Sequence, residues 1–283
     1  MRFNIKFANQ NQLITEMKKG LFTLLVLFAF SIGLQARVVK VLTIGNSFSE
    51  DAVEQYLYEL AIAQGDTLLI GNACIGGCSI DRHYNNAQTG EKAYSYRKIV
   101  GGIRSVQNGV DLKSAIQDEE WDFISLQQVS QDSGRPETFG NLAKLKEFVL
   151  SQATNKNVEI IWHLTWAYAA NSTHGGFKNY DNNQKKMYKA ILKTRKKELP
   201  KVGIKYAVPS GIAIQNGRKK LGDIFNRDGF HLDLTLGRYT VACAWCEFLT
   251  KKSVQGNPYF PDKITKEQAS IVQKAAHKAF KAL

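Results

Sequence analysis

The chain has 283 residues, 44% of them hydrophobic, and a formal net charge of +13. This composition suits one globular domain with a substantial core, and the absence of a fixed-period repeat or heptad run argues against a solenoid or a coiled coil. The densest basic cluster, Lys193 to Lys197, falls at the expected end of a helix, where cations complement the helix dipole. No nucleic-acid-binding motif accompanies it, so we expect no nucleic-acid partner. We also expect the protein to be a monomer.

Residues 1–36 have the features of a secretory signal peptide. A basic pair, Lys18-Lys19, precedes an uncharged and mainly apolar run from Leu21 to Leu34, which ends just before Ala36. The run is shorter than the roughly 20 residues that a membrane-spanning helix needs. We therefore predict cleavage after Ala36 and a periplasmic or extracellular mature protein without a stable membrane span, an uncleaved anchor being the alternative. The residues before Met17 are polar and unlike a signal, which makes Met17 a candidate for the true start.

The four cysteines form two close pairs in the sequence. In an exported protein four cysteines allow three disulfide connectivities, and the sequence does not choose among them. Cys74 and Cys78 lie in one short segment and are close enough to form a disulfide, which would restrain the loop beside Gly77. Cys243 and Cys246 lie one helical turn apart, where pairing would need strained geometry, and are predicted to stay reduced. No second ligand pair has the spacing of a zinc site, so we expect no metal.

Strands and helices alternate along the chain. The predicted strands are Val38 to Ile44, Thr67 to Ile70, Asp122 to Leu126, Val158 to Leu164 and Lys205 to Val208. The predicted helices are Ser49 to Ala63, Leu112 to Gln117, Phe139 to Gln152, Asn182 to Lys197 and Leu236 to Thr250. Tyr94 to Gln107 alternates around Gly101-Gly102 and predicts a hairpin over one face of the sheet. Because each strand is a continuous apolar run, we predict an α/β protein, a three-layer α/β/α sandwich with about five parallel strands.

A serine follows the first predicted strand directly, in the segment Gly45-Asn46-Ser47-Phe48-Ser49. In parallel sheets, functional groups gather at the carboxyl ends of the strands. A serine on this turn can present its hydroxyl above the sheet, while nearby backbone amides can stabilise an oxyanion. The alternative is that Ser47 is only a polar turn residue or a helix cap.

A histidine near the other end of the chain supplies a candidate general base. Of the five histidines, His83, His163, His174, His231 and His277, only His231 has an acid three residues before it, Asp228. An imidazole can take the proton of a serine hydroxyl, and a carboxylate holds the required tautomer and stabilises the charged ring. A histidine that only fills a helix start is the alternative.

The two motifs together resemble the SGNH (GDSL-like) hydrolase superfamily. Gly-x-Ser near the mature N-terminus and Asp-Gly-x-His near the C-terminus appear in that order, over nearly all of residues 38–250. The Gly-Asn-Ser-Phe-Ser start and the Leu-Gln-Gln-Val-Ser-Gln run are similar to those of an exported branch. The resemblance implies a flavodoxin-like strand order, a nucleophile at Ser47, a base at His231 oriented by Asp228, and no cofactor.

The resemblance also implies an oxyanion hole. Its donors would be the amides of Ser47 and Gly77, since Asn72-Ala-Cys-Ile-Gly-Gly77 is similar to the second block of the superfamily, with Cys74 in place of a glycine. The third block normally supplies an asparagine amide, and the alignment here places Gln131 on it, with Gln128 as a second candidate nearer the strand end.

We therefore expect an exported serine esterase that acts on a small molecule or polysaccharide carrying an O-acetyl or other small acyl group. Trp166, Tyr168 and His163 are predicted to contact the substrate, because aromatic faces suit sugar rings, and the loop residues His83 and His174 are further candidates. A lipase-like or thioesterase activity is an alternative. A catalytically silent glycan-binding protein of the same fold is another, because the third block is irregular.

Overall fold

The computed structural model describes residues 38–282, which form a seven-stranded sheet with helices on both faces. The strands are β1 (Val38–Gly45), β2 (Thr67–Cys74), β3 (Tyr94–Val100), β4 (Ile103–Val110), β5 (Phe123–Leu126), β6 (Glu159–His163) and β7 (Ala207–Val208). Their order across the sheet is β4-β3-β2-β1-β5-β6-β7. The five strands β2-β1-β5-β6-β7 are parallel, which confirms the predicted parallel core and its flavodoxin-like order.

The helices form the two outer layers of the predicted three-layer sandwich. They are α1 (Ser47–Val53), α2 (Leu57–Ile62), α3 (Ile80–Thr89), α4 (Leu112–Gln117), α5 (Leu142–Gln152), α6 (Gln184–Glu198), α7 (Ser210–Leu221), α8 (Leu236–Thr250) and α9 (Lys266–Phe280). Helices α1, α2, α7, α8 and α9 pack among themselves on one face, and α3, α4 and α5 on the other. Among the helices of residues 38–282, none is long and apolar enough to cross a membrane.

Two local predictions are corrected by the structure. The hairpin β3–β4 does not cover a face but extends the sheet, since β3 pairs antiparallel with β2. The predicted helix from Ser49 to Ala63 is broken into α1 and α2 at Tyr56, whose left-handed backbone, with φ of 67°, ends the helical run. The Tyr56 hydroxyl donates to the carbonyl of Leu234, at 2.9 Å, a tertiary contact that local sequence cannot indicate. Helix α7 was not predicted.

All four cysteines are buried free thiols, so the Cys74–Cys78 disulfide that the sequence allows is not formed. Cys74 is the last residue of β2 and is held in register between Gly45 of β1 and Ser95 of β3. The thiol of Cys78 lies 3.7 Å from the carbonyl of Ser79. The predicted signal peptide, residues 1–36, lies outside the described residues.

Candidate active site

Ser47 is the first residue of α1 and is separated from the carboxyl end of β1 by Asn46 alone. Asn46 caps the helix: its Oδ1 accepts from the Phe48 amide at 3.0 Å. A Cβ at Gly45 would lie 2.6 Å from Ser49 Oγ and 2.9 Å from Gln127 Cδ, so only glycine fits where the strand meets the helix. The tight turn therefore places the Ser47 side chain at the carboxyl edge of the sheet, where the sequence predicted it.

His231 and Asp228 belong to one tight loop between α7 and α8. Asp228 Oδ1 accepts from the amides of Phe230, at 3.1 Å, and His231, at 2.7 Å. Gly229 allows this turn because its φ is +87°, in the region that side-chain-bearing residues rarely adopt. Asp228 Oδ2 lies 2.6 Å from His231 Nδ1, and His231 Nε2 lies 2.8 Å from Ser47 Oγ. The structure thus brings the three predicted residues into one hydrogen-bonded array.

The carboxyl of Asp228 favours its ionised form in this array. Partial burial raises the pKa of Asp228, but hydrogen bonds from the His231 side chain and from the amides of Phe230 and His231 outweigh it, so the net pKa is lowered. An ionised carboxylate can only accept, which assigns the proton on the His231 ring to Nδ1. The Nε2 lone pair is then free to accept the Ser47 hydroxyl proton.

A buried carboxylate on α1 anchors the histidine loop. Asp51 has no exposed side-chain surface, and its carboxylate accepts from Arg238 Nη2, at 2.6 Å, and from the Leu232 amide, at 2.8 Å. It also lies 3.1 Å from Arg227 Nη1. The sequence analysis did not identify Asp51 as a functional residue. Because Leu232 follows His231 directly, Asp51 fixes the histidine loop to the same helix that carries Ser47.

A cavity of about 290 Å³ opens onto Ser47 and His231, and Gly77 is among the residues that line it. Within residues 38–282, the backbone amides of Ser47 and Gly77 donate no hydrogen bond. Gly77 has a φ of +61°, a left-handed conformation for which glycine is preferred. Two unpaired amides are thus available at the cavity beside Ser47, as the oxyanion hole requires.

The two candidate glutamines have different positions. Gln131 lines the cavity, and its side-chain amide nitrogen makes no hydrogen bond within the described chain. Gln128 is buried elsewhere: its Oε1 accepts from the amides of Ile80 and Val129, and its Nε2 donates to Thr138. The prediction of Gln128 as an oxyanion donor is therefore wrong, because its amide oxygen and its amide nitrogen are both hydrogen-bonded to other loop residues.

The three predicted substrate contacts are buried behind the cavity and cannot touch a ligand. Trp166 and Tyr168 are 0% exposed and His163 is 1% exposed. Trp166 stacks on Phe48, with ring centroids 4.2 Å apart, and its indole donates to the Phe230 carbonyl at 2.8 Å. These side chains support the walls of the site from the inside. The predicted candidate His83 is also fully buried, with Nδ1 against the Tyr94 hydroxyl.

A buried polar network that the sequence did not reveal joins the strand ends. Asn46 Nδ2 donates to the Cys78 carbonyl at 3.0 Å, and Asn46 Oδ1 also accepts from Gln127 Nε2 at 2.8 Å. Gln127 Oε1 lies 2.8 Å from His163 Nδ1, and burial lowers the pKa of His163 to about 3, so its ring is neutral. The network links the segments that carry Ser47, Gly77 and Gln131. Its one sequence signal was the asparagine directly before the serine.

No cluster of three histidine, cysteine or acidic side chains that could hold a metal ion occurs within residues 38–282. The cavity lining contains His174 and His231 as its titratable side chains. Because His231 Nε2 lies 2.8 Å from Ser47 Oγ, the arrangement can transfer a proton from Ser47 to His231.

Fold and site together define an α/β protein with a Ser-His-Asp array at the carboxyl edge of a parallel sheet. The chain belongs to the family described as a domain of unknown function, DUF4886, whose model matches residues 40–279. Comparison with curated proteins gives no match.

Solved structures are similar to this chain at two levels. A DUF4886 family protein from Bacteroides uniformis is 48% identical, with a TM-score of 0.84 over 86% of this chain and 95% of that one. A GDSL-like lipase from Bacteroides thetaiotaomicron is 14% identical, with a TM-score of 0.44 over 78% of this chain and 91% of that one. An acetyl-xylooligosaccharide esterase from Geobacillus, in a mutant form, is 12% identical, with a TM-score of 0.47 over 81% of this chain and all of that one.

Proposed function

We propose that this protein is a serine esterase of the SGNH hydrolase kind, with Ser47 as nucleophile, His231 as general base and Asp228 as the residue that orients it. The observation that carries the proposal is the pair of contacts through His231, 2.8 Å from Nε2 to Ser47 Oγ and 2.6 Å from Nδ1 to Asp228 Oδ2. Both distances are within hydrogen-bond reach, as nucleophile activation requires. The two sequence motifs that resemble the superfamily are 184 residues apart and meet in space.

The mechanism follows from the positions of these groups. His231 Nε2 accepts the hydroxyl proton as Ser47 Oγ attacks the ester carbonyl, and the ionised Asp228 stabilises the imidazolium that forms. The carbonyl oxygen becomes an oxyanion, which accepts from the free amides of Ser47 and Gly77 and from the side-chain amide of Gln131. His231 then protonates the leaving alcohol. Water then enters, loses a proton to His231 and attacks the acyl carbon. His231 returns that proton to Ser47 Oγ as the bond between Ser47 and the acyl group breaks and the acid leaves.

The substrate in this proposal is a small acyl ester on a carbohydrate, with O-acetyl as the preferred group. The cavity of about 290 Å³ is at the lower end of the range for small-molecule pockets, which favours a short acyl chain over a long lipid chain. The expected signal peptide would place the enzyme in the periplasm or outside the cell, where polysaccharides are accessible.

Acetate release from a panel of acetylated glycans tests this proposal. Wild-type protein should release acetate, whereas Ser47→Ala and His231→Ala should each lower kcat by about 10⁶-fold, as loss of a nucleophile or base does in other serine hydrolases. Ser151→Ala is the matched control, because Ser151 is exposed on α5 and bonds only within its own helix. A folded Ser47→Ala variant that keeps a tenth of the wild-type rate would refute the assignment.

A further inference from the structure

His174 is a second histidine in the cavity, and its ring nitrogens have different environments. The Gly176 amide donates to His174 Nδ1 at 3.0 Å, so the proton of the neutral ring is on Nε2. Partial burial and the nearby His231 both lower the pKa of His174, which keeps the ring neutral. Within residues 38–282, His174 Nε2 makes no hydrogen bond, although the side chain lines the cavity. The site therefore holds one unused N–H donor of fixed tautomer.

Two aromatic rings fix the position of this donor. The His174 ring packs against Tyr168, with centroids 4.9 Å apart, and against the edge of Phe230, at 4.6 Å. Tyr168 is itself immobilised, since it is fully buried and its hydroxyl lies 2.7 Å from Ser130 Oγ. Tyr168 and Phe230 also contact each other, with centroids 5.9 Å apart, so the three rings form one packed cluster. A donor held by such packing is preorganised, and a ligand that uses it loses little entropy in ordering it.

His174 borders the part of the cavity that receives the leaving alcohol. His231 Nε2 must protonate the leaving oxygen, so the alcohol portion of an ester lies on the His231 side of Ser47. The Phe230 ring that contacts His174 also contacts the His231 ring, with centroids 4.1 Å apart. The carbonyl oxygen of the ester points instead toward the oxyanion donors at Ser47, Gly77 and Gln131.

We propose that His174 Nε2–H donates to a hydroxyl oxygen next to the scissile ester oxygen, so that the site selects esters of polyhydroxylated alcohols over alkyl and aryl esters. This inference rests on the proposed esterase function and narrows its substrate class. A carbohydrate ester has an acceptor oxygen on the carbon adjacent to the ester. A simple alkyl or aryl ester has no such oxygen, so the N–H group at His174 Nε2 stays without a hydrogen-bond partner in the complex.

The test compares two substitutions that distinguish the role of His174 Nδ1 from that of His174 Nε2. His174→Asn keeps an acceptor near the Nδ1 position, where it can bind the Gly176 amide, but removes the donor at Nε2. His174→Gln extends its amide to the Nε2 position and can restore the donor. Each variant and the wild type are assayed on a methyl glycoside monoacetate and on its deoxy analogue, which lacks the hydroxyl beside the ester.

The measured quantity is the ratio of kcat/KM for the two esters, in which general damage to the enzyme cancels. We expect a ratio of about ten for the wild type, corresponding to one hydrogen bond, a fall to about one in His174→Asn, and a largely retained ratio in His174→Gln. An unchanged ratio in His174→Asn, or a wild-type ratio of one, overturns the inference. Retention in Asn with loss in Gln also overturns it, because His174 would then act only through its turn.

The outcome also distinguishes failure of this inference from failure of the proposed function. Wild-type protein that hydrolyses para-nitrophenyl acetate through Ser47 but does not discriminate between the two glycosides overturns the inference alone. Protein that hydrolyses none of the three esters overturns both. Circular dichroism of the two variants establishes that they are folded.

Discussion

Replacement of Asp51 by asparagine should destabilise the protein and displace the histidine loop. The Asp51 side chain is 0% exposed and that of its partner Arg238 is 8% exposed, with 2.6 Å between Oδ1 and Nη2. Asp51→Asn removes the negative charge and points an amide at two guanidinium groups. Arg238 is then left with Glu50, at 3.9 Å, as its remaining carboxylate within the described chain.

The expected loss of stability is large. Removing one partner of a buried ion pair costs about 3–5 kcal/mol, because the other charge stays buried without compensation. With an m-value of about 3 kcal/mol/M, the urea midpoint should fall by at least about 1 M. The substituted amide has one acceptor oxygen where the carboxylate has two, so it cannot accept from both Arg238 and the Leu232 amide. This loosens the residue next to His231, so kcat should fall by about tenfold or more even under native conditions.

Urea denaturation followed by tryptophan fluorescence measures this change, with Glu50→Gln as the matched control. Glu50 is the neighbouring acid and bonds to Arg97 at 2.8 Å, but its side chain is 34% exposed. Its replacement should cost about 1 kcal/mol or less. An Asp51→Asn variant no less stable than Glu50→Gln would refute the anchoring role of Asp51.

Three further predictions concern the two glutamines, Asp228 and the buried thiols. Gln131→Ala should lower kcat by about a hundredfold with unchanged stability. Gln128→Ala should instead cost about 1–3 kcal/mol of stability, because it leaves the backbone groups that bond to Gln128 without a partner. The reverse pattern would disprove the oxyanion assignment. Asp228→Asn should lower kcat by about 10⁴-fold. Since folding lowers the pKa of Asp228, the wild type loses this carboxylate's stabilisation as pH falls below about 4, and the variant's stability should decline less there. Burial raises the pKa of the Cys74 and Cys78 thiols to about 12, so these thiols should resist alkylation at pH 8 in the native protein. In denaturant without reductant, all four cysteines should be alkylated, because all are free thiols. Two cysteines that stay unalkylated under those conditions would indicate a disulfide.

The parallel core was predictable because the strands are rich in apolar residues and alternate with helices along the chain. The Ser-His-Asp array was predictable because two local motifs, Gly-x-Ser and Asp-Gly-x-His, resemble those of a known superfamily. Ser47 follows its strand by two residues, so its place at the sheet edge needs no knowledge of tertiary structure. The order of strands along the chain then brings both motifs to the same edge.

The errors arise where burial and tertiary contacts decide. Gln128 and Gln131 are three residues apart in one loop, and the sequence does not show that Gln128 turns inward to bind Thr138. Trp166 and Tyr168 are the residue types that bind sugars, but they are equally suited to a core. In the sequence, Asp51 has the position of a solvated acid near the end of a helix. It is a buried residue that holds the histidine loop because Arg238, from a helix distant in the sequence, donates to its carboxylate.

Labelling with a fluorophosphonate probe, followed by peptide mass spectrometry, tests whether Ser47 is an activated nucleophile. The probe forms a stable adduct with a serine whose hydroxyl is activated by a base, and it does not react with a passive binding protein. The peptide that contains Ser47 should carry the adduct in the wild type, and labelling should disappear in Ser47→Ala and in His231→Ala, while Ser151→Ala labels normally. An unlabelled wild-type protein, or an adduct that persists in Ser47→Ala, would show that the Ser47-His231-Asp228 array does not form a working nucleophile.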